Sequence, residues 1–369
     1  MPALRKILNL VDTVSSVNYG IWHAAIATSG DLKINNGVES WLISRNFDDS
    51  FRTDHFPELK ISKPESASET EARKFFSSFD PEECLVASHG CWQFATRWGA
   101  IARSMGFAWV YTPHGMLEPW SMQQKSWKKI PYFHFIEKRL AKKASLVRAV
   151  GKPEEINLRK HFPNVVHIPN GIYRKHLKSS AAGVENRNFL FLARLHHKKN
   201  VLPLAKAWIS ISPALRSGSK LRIAGTDDGE KSNLLAFMEA HPNEGLEFLG
   251  PVFGYEKEKL MEGSCFYVLP SLSEGFPTSV VEAAGAGLLP LISAGCNFPE
   301  LLEAGAGIDT GFTLETIRLA LEKALRIDND QLESMLKKAN RLIEKEYLWD
   351  LIAAQQAREY GRLLDSQKI

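Results

Sequence analysis

Glu274 and Glu282 stand in the run Leu269-Pro270-Ser271-Leu272-Ser273-Glu274-Gly275-Phe276-Pro277-Thr278-Ser279-Val280-Val281-Glu282-Ala283-Ala284. This run predicts a strand ending at Pro270, a glycine-containing loop, and a helix starting near Thr278 or Ser279, both good N-caps. Glu274 then sits on the loop at the strand's carboxyl end, and Glu282 in the first turn of the helix. A helix N-terminus offers free N–H groups and a partial positive charge suited to a phosphate. Carboxylates beside it can accept hydrogen bonds from sugar hydroxyls. The same spacing also suits a capping carboxylate and a dipole-compensating one on an ordinary helix.

Two cations, Arg194 and Lys199, follow an apolar run at 188–193. Arg grips two phosphate oxygens at once and Lys acts as a point charge. Such a pair stabilises a diphosphate that gains negative charge as it leaves. Alone, the segment Arg194-Leu195-His196-His197-Lys198-Lys199 reads better as a solvated basic loop. His114 follows another apolar run, 107–112, and Asp227-Asp228 after Gly225 is the one acidic pair that suggests a metal. It reads better as a solvated loop, and no metal site is expected.

These groups need elements to hold them. Short β-branched or aromatic runs occur at 4–11, 38–44, 84–88, 107–112, 145–150 and 165–169. A second series follows at 188–193, 220–225, 246–250, 265–269 and 288–293, with helical patterns such as Leu202, Ala205, Trp208 and Ile209 between. Strand and helix in alternation predict parallel sheets covered on both faces, here two of five or six strands each. Asn170-Gly171 closes the first series, and Lys178-Ser179-Ser180-Ala181-Ala182-Gly183 is linker-like. The last forty residues hold no strand pattern and look helical, with Leu332, Leu336, Ala339 and Ile343 on one face. The expected fold is α/β: two doubly wound domains whose strand ends line a cleft, where such sheets bind ligands.

Composition limits the classes. The chain has 369 residues, 44% hydrophobic and 24% charged, as in a globular protein of about two domains. Lys and Arg total 46 against 42 Asp and Glu, a net +4 too mild to make nucleic acid the expected partner. Cys84, Cys91, Cys265 and Cys296 form neither a disulfide framework nor a zinc pattern, which favours a reducing cytoplasm. The run Leu8-Asn9-Leu10-Val11 is too short for a signal peptide and is interrupted by Asp12. Residues 283–299 carry no charge, but Gly285, Gly287, Pro290 and Gly295 break them into helix end, turn and strand.

The E-x7-E run, preceded by Val-Leu-Pro-Ser and followed by Ala-Ala-x-Ala-Gly, resembles the signature of the retaining family-four glycosyltransferases. Other stretches match in order: Pro113-His114-Gly115-Met116-Leu117, His167-Ile168-Pro169-Asn170-Gly171, and Ala193-Arg194-Leu195-His196-His197-Lys198-Lys199. Ile223-Ala224-Gly225, Phe248-Leu249-Gly250, Pro299-Glu300-Leu301, and Trp349 followed by Tyr360 complete the set, from about residue 85 onward. The resemblance implies a GT-B fold: an N-terminal acceptor domain over 1–172, a nucleotide-sugar domain over 173–345, and a C-terminal helix over 346–369 that crosses back to the first domain.

It also implies roles. His114 lies beside the transferred sugar, Arg194 and Lys199 hold the diphosphate, and Glu274 holds sugar hydroxyls with backbone N–H groups of Gly275, Phe276 and Thr278 nearby. Pro277 has no N–H, so Thr278 is the expected second donor. Glu282 accepts from the ribose, the base rests near Gly250-Pro251-Val252, and Gly225 ends a neighbouring strand on the donor side. The sequence departs from the pattern in four places, one of them Gly287-Leu288-Leu289-Pro290, where the usual proline is displaced by one residue. The first loop, Ser16-Val17-Asn18-Tyr19-Gly20, has one glycine, Gly20, where a pair is common. Ala193 and Asn200 replace the glycines that flank the Arg-Lys segment.

Residues 121–148 hold Lys125, Lys128, Lys129, Lys138, Arg139, Lys142, Lys143 and Arg148 against one acid, Glu137, with Trp127, Tyr132, Phe133 and Phe135 among them. That mixture suits an anionic membrane surface and equally a helix with a solvated basic face. Pro131 interrupts it.

The resemblance thus implies a retaining, metal-independent hexosyltransferase without a cofactor. Its donor is a UDP-hexose or, next, GDP-mannose, and its acceptor a glycan or lipid-linked glycan of cell-surface polysaccharide. The expected location is cytoplasmic or peripheral at the inner face of the membrane. The rivals are a sugar-nucleotide epimerase on the same fold and a non-catalytic carbohydrate-binding protein.

Overall fold

The structure, a computed structural model, describes residues 4–15, 17–48, 51, 56–177 and 187–366. The chain divides into Met1–Gly171 with Trp349–Ile369, and Ile172–Leu348. The linker-like run 178–183 lies outside the described residues.

In the first unit the strands are β1 Lys6–Val11, β2 Thr13–Val14, β3 Glu39–Ile43, β4 Asn46–Phe47, β5 Leu59–Ser62, β6 Cys84–His89, β7 Ala108–Thr112, β8 Leu146–Ala149 and β9 Val165–His167. Seven of them form one sheet in the order β5-β3-β1-β6-β7-β8-β9, and β2 pairs with β4 apart from it. Every pairing is parallel. β6 and β7 are buried along their whole length, as strands covered on both faces must be. Trp98, Phe76, Phe107, Trp109 and Tyr111 fill one side of the core.

The second unit carries β10 Phe189–Leu192, β11 Leu221–Ala224, β12 Leu246–Gly250, β13 Phe266–Leu269, β14 Leu289–Ile292 and β15 Ile308–Asp309. They run parallel in the order β12-β11-β10-β13-β14-β15. Each strand run read from the sequence is present. β5 and β15 were not among them: both are edge strands, β15 has two residues, and β5 shows only Leu59 to the core. Edge strands lose the apolar pattern that reveals central ones.

The helix Trp349–Asp365 belongs to the first unit. Thr28 Oγ1 donates to Gln356 Oε1 at 2.7 Å, and Gln355 Nε2 to His167 O at 2.9 Å. Arg148 is fully buried, not part of a basic surface: its guanidinium donates to Ile168 O, Pro169 O and Asn170 Oδ1. It thereby ties the end of β8 to the chain's exit from the unit.

Candidate active site

Each sheet changes winding direction once, between β10 and β13 in the second unit and between β1 and β6 in the first. Crevices open at the carboxyl ends of strands at such points. In the second unit, Arg194 follows β10 and Glu274 follows β13. The loop after β10 is pinned to the loop after β11: Leu195 N–H donates to Thr226 O at 2.8 Å, and Asp228 N–H to Leu195 O at 3.2 Å. Gly225 permits this approach, since a Cβ there would lie 1.8 Å from Ala193 O. Asp228 Oδ2 consequently meets Arg194 Nη1 at 2.8 Å. The sequence had Asp228 as a solvated loop residue; the pinned loops make it the arginine's partner.

Past Arg194, a 3-10 turn His197–Lys199 leads to Asn200 at φ 61, the left-handed conformation that Asn tolerates almost as glycine does. The turn is clamped to the loop after β13 by Leu272 N–H and Ser271 Oγ, both donating to Lys198 O, at 2.7 and 3.1 Å. Glu274 is fixed from the other side. Its N–H donates to Gly295 O at 2.7 Å and its O accepts from Asn297 Nδ2 at 2.6 Å. Lys199 Nζ then reaches Glu274 Oε1 at 2.5 Å, with the two side chains only 12% and 9% exposed. Burial by itself would raise the Glu274 carboxyl, but the Lys199 and Lys198 ammoniums outweigh it and hold the group below its ordinary range.

The helix over Thr278–Gly285 differs in detail from the sequence expectation. Its N-cap is Pro277 with no side-chain cap, so Thr278 and Ser279 are its first residues. Ser279 Oγ instead accepts from Tyr267 Oη at 2.8 Å. Glu282 therefore falls in the second turn, paired with Lys257 Nζ at 2.9 Å. The Thr278 N–H expected beside Glu274 donates to Phe276 O at 3.0 Å. Phe276 stacks on Tyr347, and Pro277 is buried. The Gly250 carbonyl accepts from Gly225 N–H at 2.9 Å, while Pro251 and Val252 follow at the end of β12. Asp227 Oδ1 accepts from the N–H groups of Gly229 and Lys231. The second unit thus gathers Arg194, Lys199 and Glu274 at its switch point, with Gly225 supporting them.

In the first unit, Asp12 follows β1, His89 ends β6, and His114 follows β7 at φ 52. Gly115 N–H and Val150 N–H donate to the two oxygens of Glu154, at 2.6 and 2.7 Å, and so anchor the His114 loop. Burial raises Glu154 to about 7. Asp12 Oδ1 accepts from Ala95 N–H at 2.8 Å, and burial lifts its carboxyl to about 6. His114 Nε2 lies 2.9 Å from His89 Nδ1, and His89 Nε2 lies 3.2 Å from Asn9 Oδ1. Burial, helped by Arg148, lowers His114 to about 3. Asn9, Asp12, His89 and Glu154 were not singled out from the sequence, because single polar residues at strand ends carry no spacing signal. Gly20 falls inside the helix Tyr19–Ile26, with nothing within 4 Å of an added Cβ, so no close backbone approach explains it. Ser16 of that loop lies outside the described residues.

Residues 173–349 match the family described as Glycosyl transferases group 1. That span is the second unit without Ile172, plus Trp349 of the helix that follows. Over 206 residues the chain is 27% identical to a GDP-mannose:cellobiosyl-diphosphopolyprenol alpha-mannosyltransferase of Komagataeibacter xylinus, covering 54% of this chain and 51% of that protein. The chain thus aligns with about half the length of this curated relative. Among solved structures, a sucrose-phosphate synthase from Thermosynechococcus elongatus superposes with a TM-score of 0.78 at 16% identity, over 98% of this chain and 100% of that one. The Anabaena protein HepE, solved with UDP and glucose, gives 0.76 at 18% identity over 97% and 100%. WaaG, a glycosyltransferase of lipopolysaccharide biosynthesis, gives 0.68 at 14% identity over 96% and 99%. The span that matches the group 1 family therefore lies in a chain with the GT-B fold.

Proposed function

We propose that this protein is a retaining glycosyltransferase. It moves a hexose from a nucleotide diphosphate to a glycan or lipid-linked glycan acceptor of cell-surface polysaccharide. The observation that carries this reading is the Lys199–Glu274 pair at the switch point between β10 and β13, with Arg194 on the same loop as Lys199. Two cations and a carboxylate held by backbone bonds suit a diphosphate and sugar hydroxyls together. As the bond from sugar C1 to the diphosphate breaks, Arg194 and Lys199 take up the growing negative charge. The acceptor oxygen bonds to C1 on the same face, and its proton passes to the departing phosphate oxygen. In the second unit Glu274 orients the sugar, Glu282 the ribose, and Gly250, Pro251 and Val252 border the base; in the first unit His114 is the residue that meets a sugar substrate. UDP-hexose is the first donor choice and GDP-mannose the second; HepE was solved with UDP, and the Komagataeibacter relative is named for GDP-mannose. The cations make a metal unnecessary.

We place the protein in the cytoplasm, at the inner face of the membrane. Among the described residues no helix is long and apolar enough to cross a membrane. Trp127 and Phe135 are 72% and 65% exposed, beside Lys125, Lys128, Arg139, Lys142 and Lys143, a composition that suits contact with anionic lipid. Release of nucleoside diphosphate, measured with UDP-glucose, UDP-galactose and GDP-mannose plus a polyprenol-diphosphate glycan, tests the reading. Acceptor-dependent release and a product with the donor's anomeric configuration are expected. Conversion of the donor to an isomer without acceptor would instead identify an epimerase.

A further inference from the structure

The hydrogen-bond chain behind His114 fixes more than its position. Asn9 Nδ2 donates to Trp41 O at 3.1 Å, and a carbonyl can only accept, so Asn9 must turn its Oδ1 toward His89. His89 Nε2, 3.2 Å from that oxygen, must therefore carry the proton. A neutral His89 then has a lone pair on Nδ1, which faces His114 Nε2 at 2.9 Å. His114 Nε2 must be the donor in that contact, which leaves the lone pair of a neutral His114 on Nδ1. Burial keeps His89 well below its ordinary value, and a proton on His114 or the Arg148 guanidinium would each oppose a further positive charge there. Neither ring is thus a cation at neutral pH. The three residues come from neighbouring strands: Asn9 lies in β1, His89 ends β6, and His114 follows β7, with Asn9 paired to Ala87 and Val11 to His89. His114 Nδ1 makes no hydrogen bond to the described residues.

We propose that Asn9 and His89 are positioning residues that lock His114 as the Nε2–H tautomer, so that its Nδ1 serves only as a hydrogen-bond acceptor for a hydroxyl of the sugar substrate. This rests on the proposed transfer activity for its ligand, but the tautomer itself does not. An acceptor-only nitrogen selects a sugar that presents a hydroxyl donor and discriminates against one in which that hydroxyl is missing or methylated. Loss of such a bond in a site built for it commonly costs several powers of ten in specificity.

The test uses the full chain. Long-range proton–nitrogen NMR correlations of the histidine rings, with His114 assigned through His114→Asn, read the tautomer without any substrate. At pH 7 the wild type is expected to show His114 protonated on Nε2 alone. His89→Gln keeps that state, because its amide can accept from His114 and donate to Asn9. His89→Phe, or Asn9→Leu if the first variant does not fold, loses it. A proton on Nδ1, or an imidazolium, in the wild type overturns the proposal. In the transfer assay, His89→Phe or Asn9→Leu should lower kcat/KM at least tenfold, and His89→Gln should restore it to within about threefold of wild type. Equal activity of the relay-breaking variant and His89→Gln overturns the role in substrate binding. The locked tautomer in a chain that turns over no nucleotide sugar would sink the transfer reading and leave the relay standing.

Discussion

At the scale of residues, the charged groups of the second unit are already paired, and the pairs differ in what their loss would do. Lys199 and Glu274 are nearly buried, so truncating either leaves an unpaired charge and costs about 3–5 kcal/mol. Activity lost in Lys199→Ala or Glu274→Ala would therefore mix folding with chemistry. Arg194 and Asp228 are 42% and 36% exposed, where such pairs contribute at most about 1 kcal/mol. Arg194→Ala should keep its unfolding midpoint within about 3 °C of wild type and lose at least tenfold in transfer. Transfer within twofold of wild type would remove Arg194 from the diphosphate site. His114 gives a pH signature. Its folded-state value is about 3 against an ordinary 6.5, so between these limits only the unfolded chain gains the proton and stability falls as pH drops. Asp12 and Glu154, lifted to about 6 and 7, act in the opposite sense: their contribution is lost as pH rises through those values. The midpoint gap between wild type and His114→Asn, a residue that accepts the positive φ, should narrow from pH 7.5 to pH 5. A gap that stays constant, read by calorimetry, would contradict the buried neutral histidine.

At the scale of elements, the strand ends do the positioning. Gly225→Ala would force a methyl into Ala193 O, which only a backbone shift can relieve. Overpacking of this kind costs about 1–3 kcal/mol or more, and the variant should lose several degrees in midpoint together with the Arg194–Asp228 contact. An unchanged midpoint would mean that the loops after β10 and β11 are not pinned as described. The helical stretch 126–141 shows what local sequence conceals. Ser126–Tyr132 contains Pro131, a π-turn follows over Phe133–Glu137, and Lys138–Ala141 resumes the helix. A wide turn is a common answer to a disrupted helical ladder. Glu137, the one acid of the basic run, points inward and accepts from Trp92 N–H, Thr96 Oγ1 and Tyr111 Oη. Trp127→Ser with Phe135→Ser should abolish co-sedimentation with anionic phosphatidylglycerol vesicles while retaining the fold. Equal sedimentation of variant and wild type would remove the membrane role from this face. Central strands were legible because continuous apolar runs mark them, as at Cys84–His89 and Phe266–Leu269. The edges at β5 and β15, the buried Arg148, and the cap at Pro277 were not, because each depends on neighbours distant in sequence.

At the scale of the whole molecule, the chain leaves the first unit at Gly171 and returns to it at Trp349. Trp349, Ile352, Ala353, Tyr360 and Leu364 are buried there, and Tyr360 lies near the buried Arg148. A chain ending at residue 348 should consequently be insoluble or lose the cooperative unfolding of the first unit. The site was legible as separate motifs. Arg194, Lys199, Glu274 and Glu282 were read from their motifs and the resemblance, while Asp228, the partner of Arg194, and Lys257, the partner of Glu282, emerge only when loops from different strands meet. The central claim is that the second unit is a nucleoside-diphosphate site built on Arg194 and Lys199. Thermal unfolding of the wild type and of Arg194→Ala with millimolar UDP, GDP, ADP or CMP tests it most directly. A ligand at a hundred times its Kd stabilises by about 2.7 kcal/mol. One diphosphate, UDP before GDP, should raise the wild-type midpoint by several degrees and the variant's far less; no shift with any nucleotide, or an equal shift in both proteins, would contradict the account.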